Sequence, residues 1–85
     1  MPAKPRSMYL DPYLADSVHR AAQGRRPLTP STYLSYQLHG WARDHAYVYR
    51  RALMRALDEE VRQGRVVIVR SAHSAEGYLP VEVAA

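Results

Sequence analysis

Three glycines and two proline pairs divide this chain into helical lengths, and that punctuation limits its fold more than any other feature. Asp11-Pro12 opens the first length, with an N-cap residue before a proline that tolerates the first helical turn. The run continues from Tyr13 to Gln23, with Leu14, Val18, Ala21 and Ala22 on one face, and stops at Gly24. Thr29-Pro30 repeats the signal, and Ser31 to His39 follows with Tyr33, Leu34, Gln37 and Leu38 at helical spacing before Gly40. A third helix is expected from Asp44 to Gln63, closed by Gly64. On its wheel Ala46, Tyr49, Ala52, Leu53, Ala56 and Leu57 share one side. Tyr47, Arg50, Arg51, Met54, Arg55, Asp58 and Arg62 share the other.

After Gly64 the period changes. Arg65 to Arg70 is β-branched and apolar, and Tyr78 to Val83 alternates Leu79, Val81 and Val83 with Tyr78, Pro80 and Glu82. These read as two antiparallel strands joined by a loop over Ser71–Gly77, with Pro80 marking the second as an edge. In the link Arg25-Arg26-Pro27-Leu28, Leu28 is placed as one rung of a small strand. The expected fold is α+β: helices at 12–23, 30–39 and 44–63, then a hairpin. Its core is expected to hold Leu14, Val18, Leu34, Leu38, Trp41, Leu53, Leu57, Val66 and Ile68. Residues 1–8 read as a disordered lead and 9–83 as a single domain, since 85 residues leave too little apolar surface for two cores.

The order helix, link, helix, turn, helix, hairpin resembles that of winged-helix domains. The stretch Val48-Tyr49-Arg50-Arg51-Ala52-Leu53, then Leu57, Glu59, Glu60, Gly64, Val66 and Arg70, is similar to the segment leading from recognition helix to wing in bacterial, plasmid or phage repressors of that superfamily. Leu28-Thr29 and Leu34/Leu38 resemble their second helix, and Gly40-Trp41 falls at their turn. The distance from Leu53 to Gly64 is about a turn longer than in that pattern. The resemblance implies a winged helix-turn-helix regulator that lays helix 44–63 in the major groove of DNA and uses hairpin 65–83 as a wing.

The charges point the same way independently. Eleven of the twelve basic residues are arginine, and residues 1–43 carry a surplus of four positive charges while residues 44–85 balance. A net charge of +4 suits a polyanionic partner. GC-rich coding explains the arginine preference equally well. On the third helix Arg43, His45, Tyr47, Arg50, Arg51 and Arg55 come early and the acids Asp58, Glu59 and Glu60 late. The helix dipole favours the reverse order, so stability alone does not account for it. The competing reading is a solvated face that pairs Arg55 with Glu59 and Asp58 with Arg62. Arg25 and Arg26 are placed beside phosphate or in solvent. Arg70 and His73 belong either to a wing that reaches the DNA or to a plain connection.

Seven tyrosines and no phenylalanine fit either phosphate contacts or protein interfaces. One small module reads about one half-site, so a homodimer is expected, with Tyr9, Tyr13, Tyr33 and Tyr36 at its contact. Trp41 reads as a core plug in preference to a base-stacking residue. Two other functions remain open: a protein-interaction winged helix that modulates a host protein, and an RNA- or ribosome-associated one.

Catalysis finds no foothold in this sequence. His19, His39, His45 and His73 lack ligand spacing, so no metal or cofactor is expected. No serine sits in a nucleophile motif, and no phosphate loop or apolar carboxylate pair occurs. The chain is read as a non-enzyme. The absence of cysteine excludes disulfide scaffolds and zinc fingers and suits the cytoplasm. The longest apolar run, Val66–Val69, is too short for a membrane span.

Overall fold

The structure, a computed structural model, describes residues 7–70 and 76–84. Five helical segments and one two-stranded antiparallel sheet make up the fold over those residues: α1 (Leu10–Ala22), α2 (Pro30–Gln37), α3 (Gly40–Asp44), α4 (Ala46–Arg62), β1 (Val66–Arg70), β2 (Glu76–Pro80) and α5 (Val81–Ala84). The α+β class expected from the sequence is what forms.

Two of the three glycines close helices as expected, whereas α2 ends at Gln37 and Gly40 opens α3 instead of closing it. At α4 the Gly64 N–H bonds the Val61 carbonyl and the Arg65 N–H bonds that of Glu60, with Gly64 at φ 74°. This is a Schellman closure, which needs the left-handed backbone that glycine adopts at least cost. Gly24 closes α1 with the same pair of bonds, from its own N–H to Ala21 and from Arg25 to Arg20. The Thr29 side chain caps α2 by accepting from the Thr32 N–H at 3.2 Å, with Pro30 in the first turn.

Other boundaries differ from expectation. Helix α1 starts two residues before Pro12, with Tyr9 rather than Asp11 at the N-cap position. Asp11 lies instead in the first turn, where its charge suits the dipole. The helix expected from 44 to 63 forms as α4 over Ala46–Arg62, and the turn expected before it holds a short helix of its own. Leu38 and His39 run extended, Gly40 takes φ 56°, and the short α3 turns at His45 into α4. The second strand is Glu76–Pro80 rather than 78–83. Val66 pairs with Pro80, and the residue before Val66 belongs to the turn closing α4, so positions 81–83 have no partner left. The Val81 N–H bonds the Arg65 carbonyl and the chain coils into α5. Leu28 is not in a strand; Pro27 beside it packs against Gly77 of β2. The hairpin loop falls largely on residues 71–75, outside those described, and the lead 1–6 also lies outside them.

The core joins all the main elements: Leu10 and Tyr13 from α1, Tyr33 and Leu34 from α2 with Leu38 just after it, Leu53 and Leu57 from α4, Val66 from β1, and Tyr78 and Leu79 from β2. Leu38 is the last of the α2 side to enter it and follows that helix directly. Of the nine expected core residues, Leu34, Leu38, Leu53, Leu57 and Val66 are buried, and Leu14 and Val18 are half-buried. Trp41 and Ile68 are exposed. Trp41 lies on the short α3, which fully buries none of its side chains, and burial along β1 falls off beyond Val66.

Tyr13 joins three elements. Its hydroxyl donates to the Leu28 carbonyl at 2.5 Å and accepts from the Tyr78 N–H at 3.0 Å. Its ring meets Tyr33 and Tyr78 edge-on, with centroids 5.3 and 6.4 Å away. Burial pushes the Tyr13 phenol up to about 12. Tyrosine does the work that phenylalanine does in most small cores, with a hydroxyl that ties backbone together.

A candidate nucleic-acid interface on helix α4

Helix α4 presents opposite faces to core and solvent, as its sequence pattern requires. Leu53, Leu57 and Glu60 are buried, and Ala46, Tyr49, Met54, Ala56 and Val61 are half-buried against them. Met54, expected among the outward residues, packs on the core. Tyr49 meets Tyr9 edge-on at 5.9 Å. At the C-terminal end Arg65 Nε lies 3.1 Å from a Glu60 oxygen, holding the start of β1 to the helix. Hydrogen bonding to Glu60 raises the Arg65 guanidinium above its ordinary value.

The outward face carries the expected residues. Arg43 on α3, His45 at the joint, and Tyr47, Arg50, Arg51 and Arg55 on α4 are all exposed. Among the described residues, none of these four arginines is in an ion pair. The pairs weighed against a functional reading do not form: Glu59 takes Arg62 and Gln63, with Arg62 Nε at 3.0 Å, instead of Arg55. Those same hydrogen bonds, first from Gln63 and then from Arg62, lower the Glu59 carboxyl below its ordinary value. Arg51 and Arg55 stand four residues apart on one helix face, a like-charge spacing that costs a few tenths of a kcal/mol when unshielded.

Beside this face lies a groove of about 300 Å³ between α2 and α4. Ser31, Leu34 and Ser35 line one wall, and Ala46, Tyr47 and Arg50 the other. It is partly open, and its exposed lining is mostly apolar.

The remaining candidates scatter. Arg25 and Arg26 are exposed on the link, Arg25 reaching only Gln23 at 3.5 Å. Arg70 is exposed and pairs with Glu76 across the hairpin at 3.2 Å. His73 lies outside the described residues. The four tyrosines expected at a dimer contact do not form one patch. Tyr13 and Tyr33 are core residues, because Leu10 and Ser17 share the Tyr13 face and turn it inward. Tyr9 is half-buried, and Tyr36 alone among them is exposed.

Trp41 was missed as a surface residue. It is 67% exposed and stacks on His45, with centroids 4.3 Å apart and planes at 24°. The signal was present in the sequence: Trp41 follows a helix-stopping glycine and stands four residues before His45. Among the described residues no three metal-ligating side chains cluster, and no helix is long and apolar enough to cross a membrane.

Fold and surface together define a small α+β domain with a basic, aromatic-edged face on its longest helix. No family model, curated protein or solved structure matches the chain.

Proposed function

We propose that this chain is a DNA-binding regulator of the winged-helix kind, with the first half of α4 in the major groove and the β1–β2 hairpin as its wing. The observation that carries the reading is the exposed set Arg43, Arg50, Arg51 and Arg55, without acidic partners among the described residues. The unshielded guanidinium groups of Arg50, Arg51 and Arg55 on α4 repel each other, and a duplex supplies the phosphates and guanine edges that relieve this. The aromatic and imidazole groups at the helix start, Tyr47 and His45, add donors to the same end. The hairpin that directly follows the longest helix supports the winged-helix assignment.

The working form in this reading is a cytoplasmic homodimer without cofactor or catalytic role, because one module spans about one half-site. With Tyr13 and Tyr33 in the core, Tyr36 is the tyrosine left exposed for a symmetric contact.

A second reading has its own observation. Tyr36, Trp41 and Tyr47 are all more than half exposed, and exposed aromatics are enriched where proteins meet. That favours a module that binds a host protein. Gel-shift titration of duplex DNA separates the two. Arg50→Ala and Arg51→Ala should each weaken binding by roughly 1–3 kcal/mol if they reach bases. Arg62→Ala, which removes an arginine already paired with Glu59, should change it little. Equal effects from all three, or no binding at moderate salt, would favour the protein partner.

A further inference from the structure

We propose that Trp41, backed by His45, is a stacking platform for an unpaired nucleobase, so that this face takes nucleic acid carrying a single-stranded or extrahelical base. The inference rests on the nucleic-acid reading above and names the part of the ligand that reading leaves open.

The position is built by the backbone. Extended Leu38 and His39, then Gly40 in the left-handed region, turn the chain out of α2. The five-residue α3 that follows fully buries none of its side chains, with only Ala42 half-buried against the core. Trp41 therefore stands in solvent, although an exposed indole forfeits about 2 kcal/mol of burial. It is held there. His45 lies against one face of the ring, and its Nδ1 is 3.2 Å from the Trp41 carbonyl, a hydrogen bond when Nδ1 carries the proton. The backing fixes the indole while most of its surface stays open.

What would cover it follows from its neighbours along the chain. Arg43 lies between the two stacked rings in sequence, and Tyr47 and Arg50 occupy the turn of α4 that begins after His45. All are exposed, and neither arginine has an acidic partner among the described residues. An apolar pocket on a protein partner accounts for the exposed ring but not for the unpaired cations on the same stretch of chain. A polyanion with flat faces does: phosphates meet the guanidinium groups, and a base, freed from its neighbours, stacks on the indole. In an intact duplex the bases present only edges, so a fully paired ligand leaves the platform unused.

Trp41 is the sole tryptophan in the chain, so its emission reports on this site directly. The test compares three ligands of equal phosphate number on the full chain: a single-stranded oligothymidylate, an abasic strand, and a duplex. Oligothymidylate should quench the tryptophan and bind about tenfold tighter than the abasic strand, which should leave emission unchanged. With a labelled strand, Trp41→Ala should bring the two affinities together without altering that for the abasic strand, and Trp41→Tyr should restore most of the difference. Equal binding of both strands by the unaltered chain overturns the platform while leaving the basic face intact, provided the duplex binds in a salt-dependent way. Failure of all three ligands to bind removes the nucleic-acid reading, and the platform with it.

Discussion

Replacing Tyr13 by phenylalanine removes one oxygen and leaves two backbone groups, the Tyr78 N–H and the Leu28 carbonyl, without the partner that ties them to α1. Unsatisfied buried groups cost about 1–3 kcal/mol, so Tyr13→Phe should lower unfolding free energy by that much in urea titration. A loss within error of zero would mean that water replaces the hydroxyl freely. The same residue sets a pH limit. A tyrosine in the unfolded chain ionises near 10, whereas folded Tyr13 holds its proton to about 12. Between those values the unfolded chain binds fewer protons, so stability is full below pH 10 and falls as pH rises toward 12. Tyr33 and Tyr78, also raised by burial, act in the same direction. Tyr13 alone accounts for a fall of about 2–3 kcal/mol. Urea unfolding at pH 9 and at pH 12 measures it, and the Tyr13→Phe variant should lose that part of the slope. Equal stability at both values would contradict the burial. The inward face was legible in the sequence, since Leu10, Tyr13, Leu14 and Ser17 keep helical spacing. Reading α1 from Pro12 hid Leu10 and left Tyr13 at the margin of the helix.

Most local signals were legible among the elements, the Asp11-Pro12 helix start excepted; those that depend on a distant partner were not. Gly24, Gly64 and Thr29-Pro30 act through bonds within a few residues, and each ends or starts a helix where its chemistry says. The end of β2 depends on where β1 begins, and β1 begins only after the turn that closes α4. An alternation of Leu79, Val81 and Val83 contains no record of that. Gly40 signalled a stop, yet α2 ends three residues before it and Gly40 itself opens α3. The contact between link and hairpin was equally hidden. A Cβ added at Gly77 would stand 2.6 Å from Pro27 Cγ and 2.9 Å from the Pro27 carbonyl oxygen. The carbonyl is backbone and yields little. Gly77→Ala should therefore destabilise by about 1–3 kcal/mol. That corresponds to a melting temperature lower by at least about 4 °C in a domain of this size. An unchanged melting temperature would show that link and β2 do not pack this closely.

For the whole molecule, the candidate site was more legible than the fold around it. Arg43, His45, Tyr47, Arg50, Arg51 and Arg55 were identified from helical spacing and charge order alone, and all are exposed. Charge is avoided in the interior, so an arginine-rich helix face declares its own orientation. The dimer contact was not legible, because tyrosine is amphipathic and its count does not say which rings are buried. Sedimentation should show self-association at micromolar concentration that Tyr36→Ala weakens. A monomer throughout would end the dimer proposal. Tyr13→Ala, which hollows the core, should unfold the chain instead of dissociating it. The central claim is that four unpaired arginines meet phosphate, and its most direct measurement is the salt dependence of duplex binding. Each neutralised phosphate contributes about −0.9 to the slope of log affinity against log salt, so four predict roughly −3.6. The double variant Arg50→Ala/Arg51→Ala should bring this to about −1.8. A slope near zero in the unaltered chain, or one that the double variant leaves unchanged, would contradict the account.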